Sequence, residues 1–293
     1  FSFIAVPLLA LLACGGSDDK DGATADASTA GQPDAGTAGQ ADASTDSNWV
    51  PLITGDWTLG PGGEDSSDNH SITLDRDIYI SAIRPVDPVG THHALLAIEG
   101  GSGVVYASGV GTNELFFPEG VGLKLVAGTV LDLQHHVFNV SDSKISGTSG
   151  VEILEVSADQ VTQVADVFLP GPFDFNLPPA ETTTHSGDCV VNEAQTLFAL
   201  FPHMHQLGTH FKMTVTKGGT LQVVHDAAYD FDEQKITSFA PIELAPGDTI
   251  TTECTWFNTL GTPVGWGDGS EQEMCFSILY RYPAIDDNDF CIN

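Results

Sequence analysis

An all-β fold of the sandwich type is what this sequence predicts, and three observations carry the expectation. Short segments rich in β-branched and aromatic residues recur from Trp49 onward, separated by Gly, Pro, Asn and Asp at the spacing of all-β sandwiches. No stretch holds a helical period for three turns. With 41% hydrophobic and 9% aromatic residues over 293 positions, the chain can bury one large core or two ordinary ones.

The first segment reads as an address. Phe1 to Ala13 is apolar and uncharged, too short to span a bilayer as a helix but long enough for the hydrophobic region of a signal peptide. Leu11-Leu12-Ala13-Cys14, followed by Gly15 and Gly16, resembles a bacterial lipoprotein box, in which Cys14 carries the lipid. Residues 1–14 are then a lipoprotein signal segment. Residues 15–48, built of Asp, Ala, Gly, Ser, Thr and Gln without periodicity, are expected to form a disordered tether. The implied location is exported, lipid-anchored at the bacterial cell envelope, on the outer membrane or cell surface. The membrane is met only through that anchor, and disulfides are permitted there.

Beyond the tether the predicted strands run in order through Ser71–Arg84, His93–Ile98, Gly103–Ala107, Leu123–Val126, Val130–Val140 and Val151–Val156. After an interruption come Phe211–Val215, Leu221–Val224, Thr249–Phe257 and Cys275–Tyr282. The interruption, Leu169–Thr184, holds Pro170, Pro172, Pro178, Pro179, Gly171 and three consecutive Thr, and proline at that density reads as a linker. Two β domains follow, residues 49–170 and 171–293.

Charge excludes one class of partner. Forty acidic side chains against nine basic ones give a formal net charge of −31, so the chain has no basic face for phosphates and nucleic acid is not a partner. Such a surface repels anionic lipid and anionic substrates and favours cations.

Four cysteines remain after Cys14, namely Cys189, Cys254, Cys275 and Cys291, all in the second half. They allow three disulfide pairings, and sequence arithmetic does not choose among them. No Cys-x-x-Cys spacing favours zinc, so two disulfides are the better reading. Of ten histidines, six fall in three tight groups. His203 and His205, at i and i+2 on a strand, project from one face and can share a metal. Neighbours on a regular strand point to opposite faces. In His92-His93 and His135-His136, therefore, either a bulge turns both rings inward or one of each pair ligates. Imidazole suits copper, zinc, iron and nickel alike. His70, His185, His210 and His225 read as ordinary polar or surface residues.

These motifs resemble a family in their order along the chain. His203-Met204-His205-Gln206-Leu207-Gly208 with Glu273-Met274-Cys275 resembles the copper type II, ascorbate-dependent monooxygenases. So do Thr91-His92-His93, Phe117–Gly122 leading into Leu133-Gln134-His135-His136, Tyr229-Asp230-Phe231, and the segment from Gly247-Asp248 to Cys254. The resemblance covers roughly residues 75–291 and implies two antiparallel jelly-roll sandwiches facing across a cleft. It implies two copper ions per chain. One is held by His92, His93 and His136, with Gln134 beside them and His135 not a ligand. The other is held by the catalytic set His203, His205 and the Met274 thioether. It pairs Cys254 with Cys275 and Cys189 with Cys291. The activity it implies is hydroxylation of a small-molecule C–H bond with O₂ and a one-electron reductant such as ascorbate.

The resemblance has departures. Where peptidylglycine hydroxylases hold a substrate carboxylate with Arg, Asn and Tyr, this chain has Phe201, Phe276 and Ile278. An apolar pocket does not hold an unpaired carboxylate, so the substrate is expected to be apolar rather than a peptide acid. The first domain also lacks the cysteines of the animal enzymes. Two other classes fit the same residues: a copper-binding envelope lipoprotein without catalysis, and a structural sandwich with incidental histidines.

Overall fold

The computed structural model describes residues 48–66, 69–99, 103–267, 272–285 and 290–292. The expected signal segment with Cys14, and the tether apart from its last residue, lie outside them. Among the described residues there are strands and loops, a 3-10 turn at Ala158–Gln160 and no α-helix, in line with the all-β expectation.

One ten-stranded sheet runs through both halves. Its main path is Val50–Leu59, Ile145–Glu155, Ile78–Val86, Val121–Leu125, Gln163–Gly171, Cys275–Tyr282, Gln195–Met204 and Thr237–Leu244. Gln163–Gly171 is the joint. Gln163–Ala165 pair in parallel with Val121–Leu123, and Asp166–Phe168 pair antiparallel with Leu279–Arg281. A five-stranded sheet stacks on the first half; its strands include Val130–Phe138, Thr91–Ile98 and Val104–Gly109. A four-stranded sheet stacks on the second half, in the order Thr182–Val190, Thr249–Phe257, Gly208–Lys217, Thr220–Ala228.

Each half buries its own core, and the long sheet serves both. Leu200, Met204, Cys275 and Leu279 point into the second half's core with Phe211, Val215 and Trp256. Phe198, Phe201, Phe276, Ile278 and Tyr280 point the other way, into a core shared with Leu96, Val105 and Leu133 of the first half. Strands buried on both faces show no alternation, so the run from Leu197 to Met204 lacks the period-two signal and escapes a pattern search.

Two segments differ from the sequence expectation. Ser71–Arg84 is two strands, Asn69–Thr73 and Ile78–Val86, in different sheets. Asp75, Arg76 and Asp77 interrupt the apolar pattern there, and the Asp77 carboxylate accepts the Ala127 N–H at 2.9 Å, tying the break to the distant turn at Val126–Thr129. Leu169–Gly171 and Thr182–Thr184, taken as linker, belong to strands. Pro170 fits because it lies past the Leu279–Arg281 ladder and pairs only with the short parallel strand Phe290–Ile292.

At the joint lies a buried charge. Arg281 is fully buried and forks onto Asp166, with Nε and Nη2 donating to the two carboxylate oxygens at 2.7 and 3.0 Å. Its Nη1 donates to Gln195 Oε1 at 2.9 Å, and the guanidinium lies 4.2 Å over the Phe168 ring.

Candidate metal centres

His92, His93 and His136 come together on the outer face of the five-stranded sheet. In Val130–Phe138 the buried positions are Leu131, Leu133, His135 and Val137, so alternation sends His136 to the opposite face. His93 pairs directly with His136 across the ladder, and the register slips between Thr91 and His93, placing His92 in a bulge. The bulge resolves the adjacent-pair problem by turning both rings to one side. One ring nitrogen from each of the three lies within 4.8 Å of the others. His135 faces the sandwich interior instead, with its ring centroid 5.2 Å from that of His70.

The protons on these rings are placed by their neighbours. The Asp232 carboxylate accepts from His92 Nε2 at 2.8 Å, and the Glu64 carboxylate accepts from His136 Nε2 at 2.6 Å. A carboxylate can only accept, so each ring carries its hydrogen at Nε2 and keeps a lone pair at Nδ1. The Nδ1 atoms of His92 and His93 are 3.0 Å apart. That spacing suits two donors about 2 Å from one ion.

The second group sits on the long sheet. Phe201 and His203, two residues apart, share the face turned toward the first half, and the rings of His203 and His205 are 5.3 Å between centroids. The register pairs His203 with Phe276 and Met204 with Cys275, which leaves His205 and Met274 as the next residue on either strand. Gly171 packs against the Cys275 carbonyl so closely that a Cβ would have no room, which holds the strand bearing Met274 in place. His205 Nδ1 donates to the Gln272 carbonyl at 3.0 Å. Gln234 Nε2 donates to the Phe231 carbonyl, so its Oε1 faces His203 and accepts from Nδ1 at 3.3 Å. Both rings keep a lone pair at Nε2.

Glu273 ties this group together. One carboxylate oxygen accepts the His205 N–H and Trp256 Nε1, each at 2.9 Å, and the other accepts the Leu207 N–H at 2.7 Å. Burial pushes this carboxyl up, and the donors pull it back. The motif Glu273-Met274-Cys275 stood out in the sequence, but nothing there showed that the Glu grips the backbone of the paired histidines. Asp232 and Glu64 were missed outright, since one acid among forty carries no signal, and Gln234 belonged to no motif.

Two disulfides frame the second half, Cys189–Cys291 and Cys254–Cys275, the pairing the resemblance implies. Between the halves opens a cleft of about 430 Å³, with His92, His136 and Phe138 on one side and Gln206, Gly208 and Tyr229 to Asp232 on the other. The remaining histidines lie elsewhere. His185 packs near Phe175 and Trp256, His210 meets Asp226, and His225 lies against Phe211.

Two of the clustered rings resist protonation. Burial, then the imidazoles of His136, His92, His203 and His205, holds His93 down to about 3, and burial with His205 holds His203 down to about 4. The unfolded chain takes these protons near pH 6.5 while the folded one refuses them, so acidification favours unfolding. The metal-free protein is expected to lose melting temperature as pH falls from about 6.5 toward 4. His203→Gln flattens that slope, and an unchanged slope refutes the assignment.

The described residues thus combine stacked β-sheets with a three-histidine group and, on the long sheet, the His203-Met204-His205 motif next to the strand that follows Glu273-Met274. Residues 164–293 match the family model described as copper type II ascorbate-dependent monooxygenase, C-terminal domain. Peptidyl-glycine alpha-amidating monooxygenase A of Xenopus laevis is 26% identical over 189 residues, which is 62% of this chain and 20% of that protein. DBH-like monooxygenase protein 1 of Gallus gallus is 26% identical over 208 residues, covering 62% of this chain and 33% of that protein. The chain thus spans a fifth to a third of the length of these curated relatives, and the matches support the family its motifs resemble. Solved structures are more distant. The major capsid protein P2 from bacteriophage PM2 has a TM-score of 0.37 at 9% identity, with 81% of this chain and 100% of that one covered. PNGF-II has a TM-score of 0.32 at 7% identity, with 81% and 65% covered. At such scores neither likeness bears on fold or function.

Proposed function

We propose that this chain is a two-domain copper monooxygenase, with domains 49–170 and 171–293, that hydroxylates a C–H bond of a small apolar substrate. The overall change is R–H with O₂, two electrons and two protons giving R–OH and water. A one-electron reductant such as ascorbate supplies the electrons. Copper bound at the two histidine groups supplies O₂ activation and one-electron transfer.

The observation that carries this reading is the set of donors. His92 and His136 keep lone pairs at Nδ1, and His203 and His205 keep them at Nε2, each fixed by a hydrogen bond on the ring's other side. His93 and His203, held neutral by burial, together with the Met274 thioether, suit copper in both its oxidation states. His92, His93 and His136 would hold the electron-storing ion, and His203, His205 and Met274 the ion at which O₂ and substrate meet. Glu273 keeps the His205 backbone and Met274 in register while electrons pass.

The wall beside Met274 supports an apolar substrate. Phe201, Phe276 and Ile278 are 2, 3 and 4% exposed on the face that carries His203. Phe173 stacks on Trp266 at 4.5 Å and meets Phe276 edge-on at 5.2 Å. No cation stands among these side chains to pair a substrate carboxylate.

The test is metal content after dialysis against copper, followed by ascorbate-driven O₂ consumption with a panel of small apolar compounds. Two coppers per chain and a hydroxylated product support the proposal. Two coppers without turnover favour a copper-binding envelope protein, and one or none removes the reading.

A further inference from the structure

One short piece of chain touches ligands of both histidine groups. Tyr229 Oη donates to the Met204 carbonyl at 2.6 Å and accepts the Met204 N–H at 3.0 Å, clasping the residue between His203 and His205. Phe231 packs on His92 at 5.1 Å and His93 at 6.3 Å between centroids. Asp232 accepts from His92 Nε2, and Gln234 accepts from His203 Nδ1. The segment is anchored on the first half as well. Thr112 Oγ1 donates to the Gln234 carbonyl at 2.6 Å and accepts the N–H of Gly109, the residue paired with His93. The Gln234 side chain is buried against Gly109, where a Cβ would leave it too little space.

We infer that Tyr229–Gln234 is a positioning strap, contributed by the second half, that fixes the donor tautomers of both groups: Asp232 for the three-histidine centre and Gln234 for the His-Met-His centre. The inference rests on the copper reading above and adds residues to it. Asp232 has two separable effects. As an acceptor it keeps the His92 lone pair at Nδ1, and as a negative charge it favours Cu(II) over Cu(I) at the centre whose ligand it touches. Glu64 does the same for His136 from the first half. With copper bound, the centre with two carboxylate-bonded imidazoles would be the more reducing of the pair.

Chelator competition titrations of the full chain, with each centre followed by its Cu(II) spectrum, test this. Asp232→Ala is expected to weaken Cu(II) at the three-histidine centre roughly 10–100-fold and leave the His-Met-His centre within about twofold. Asp232→Asn keeps an acceptor and removes the charge. It is expected to recover most of the affinity for Cu(I) but not for Cu(II), and each tenfold difference between them raises that centre's potential by about 59 mV. Gln234→Leu produces the affinity loss at the other centre. Glu233→Gln, which removes the same charge one residue away without touching a ring, changes neither. If the wild type binds two coppers and Asp232→Ala leaves both affinities unchanged, the strap is refuted and the copper reading stands. Equal loosening of both centres by Asp232→Ala also refutes it. A wild type that binds no copper removes both.

Discussion

Met274→Ile is expected to lower turnover about a thousandfold and to leave one copper per chain instead of two. Isoleucine keeps the bulk of methionine without its sulfur, so the surrounding packing survives while a soft ligand is lost. Withdrawing a ligand from the reacting centre removes several kcal/mol of transition-state stabilisation, and about 4 kcal/mol is a factor of about 10³ in rate. The three-histidine group lies on another sheet and keeps its ion. Metal analysis with ascorbate-driven O₂ uptake reads both parts. Wild-type turnover in this variant contradicts the assignment of Met274, whereas loss of both ions marks a folding defect, which circular dichroism identifies.

Asp166→Ala is expected to cause the largest loss of stability outside the metal centres. Arg281 is fully buried with both sides of its fork on Asp166, and the substitution strands a guanidinium in the sheet interior. Breaking such a pair from one side costs about 3–5 kcal/mol. For a chain of this size that is a fall in melting temperature of roughly 6–20 °C. The Asp166→Leu/Arg281→Met double variant removes both charges and recovers much of the loss, because no charge is then left buried alone. A single variant that melts within 2 °C of wild type, by about the same estimate, contradicts the role given to this pair.

The sequence disclosed what depends on local pattern and hid what depends on meeting across the fold. Alternation in Val130–Phe138 is plain because one face is buried and the other is not, yet it was the resemblance, not the alternation, that set His136 apart from His135. Gln195–Met204 hides its strand because it packs on both faces. The bulge at His92 left no mark either, since a one-residue register slip is set by the partner strand. His203 and His205 were legible from a two-residue spacing. Asp232, 140 positions from His92, was not, and neither was Glu64, 72 positions from His136. The carboxylates that place the protons come from loops and short strands in a chain where acidic residues are everywhere.

The long sheet has a consequence for how the molecule can move. Backbone hydrogen bonds run without a gap from Val121–Leu125 through Gln163–Gly171 to Cys275–Tyr282, and Phe198, Phe276 and Tyr280 lie in the core of the other half. A hinge between the halves would have to tear a ladder and open an apolar core at once. The cleft is thus expected to keep its width, with reactants entering and leaving by diffusing along it.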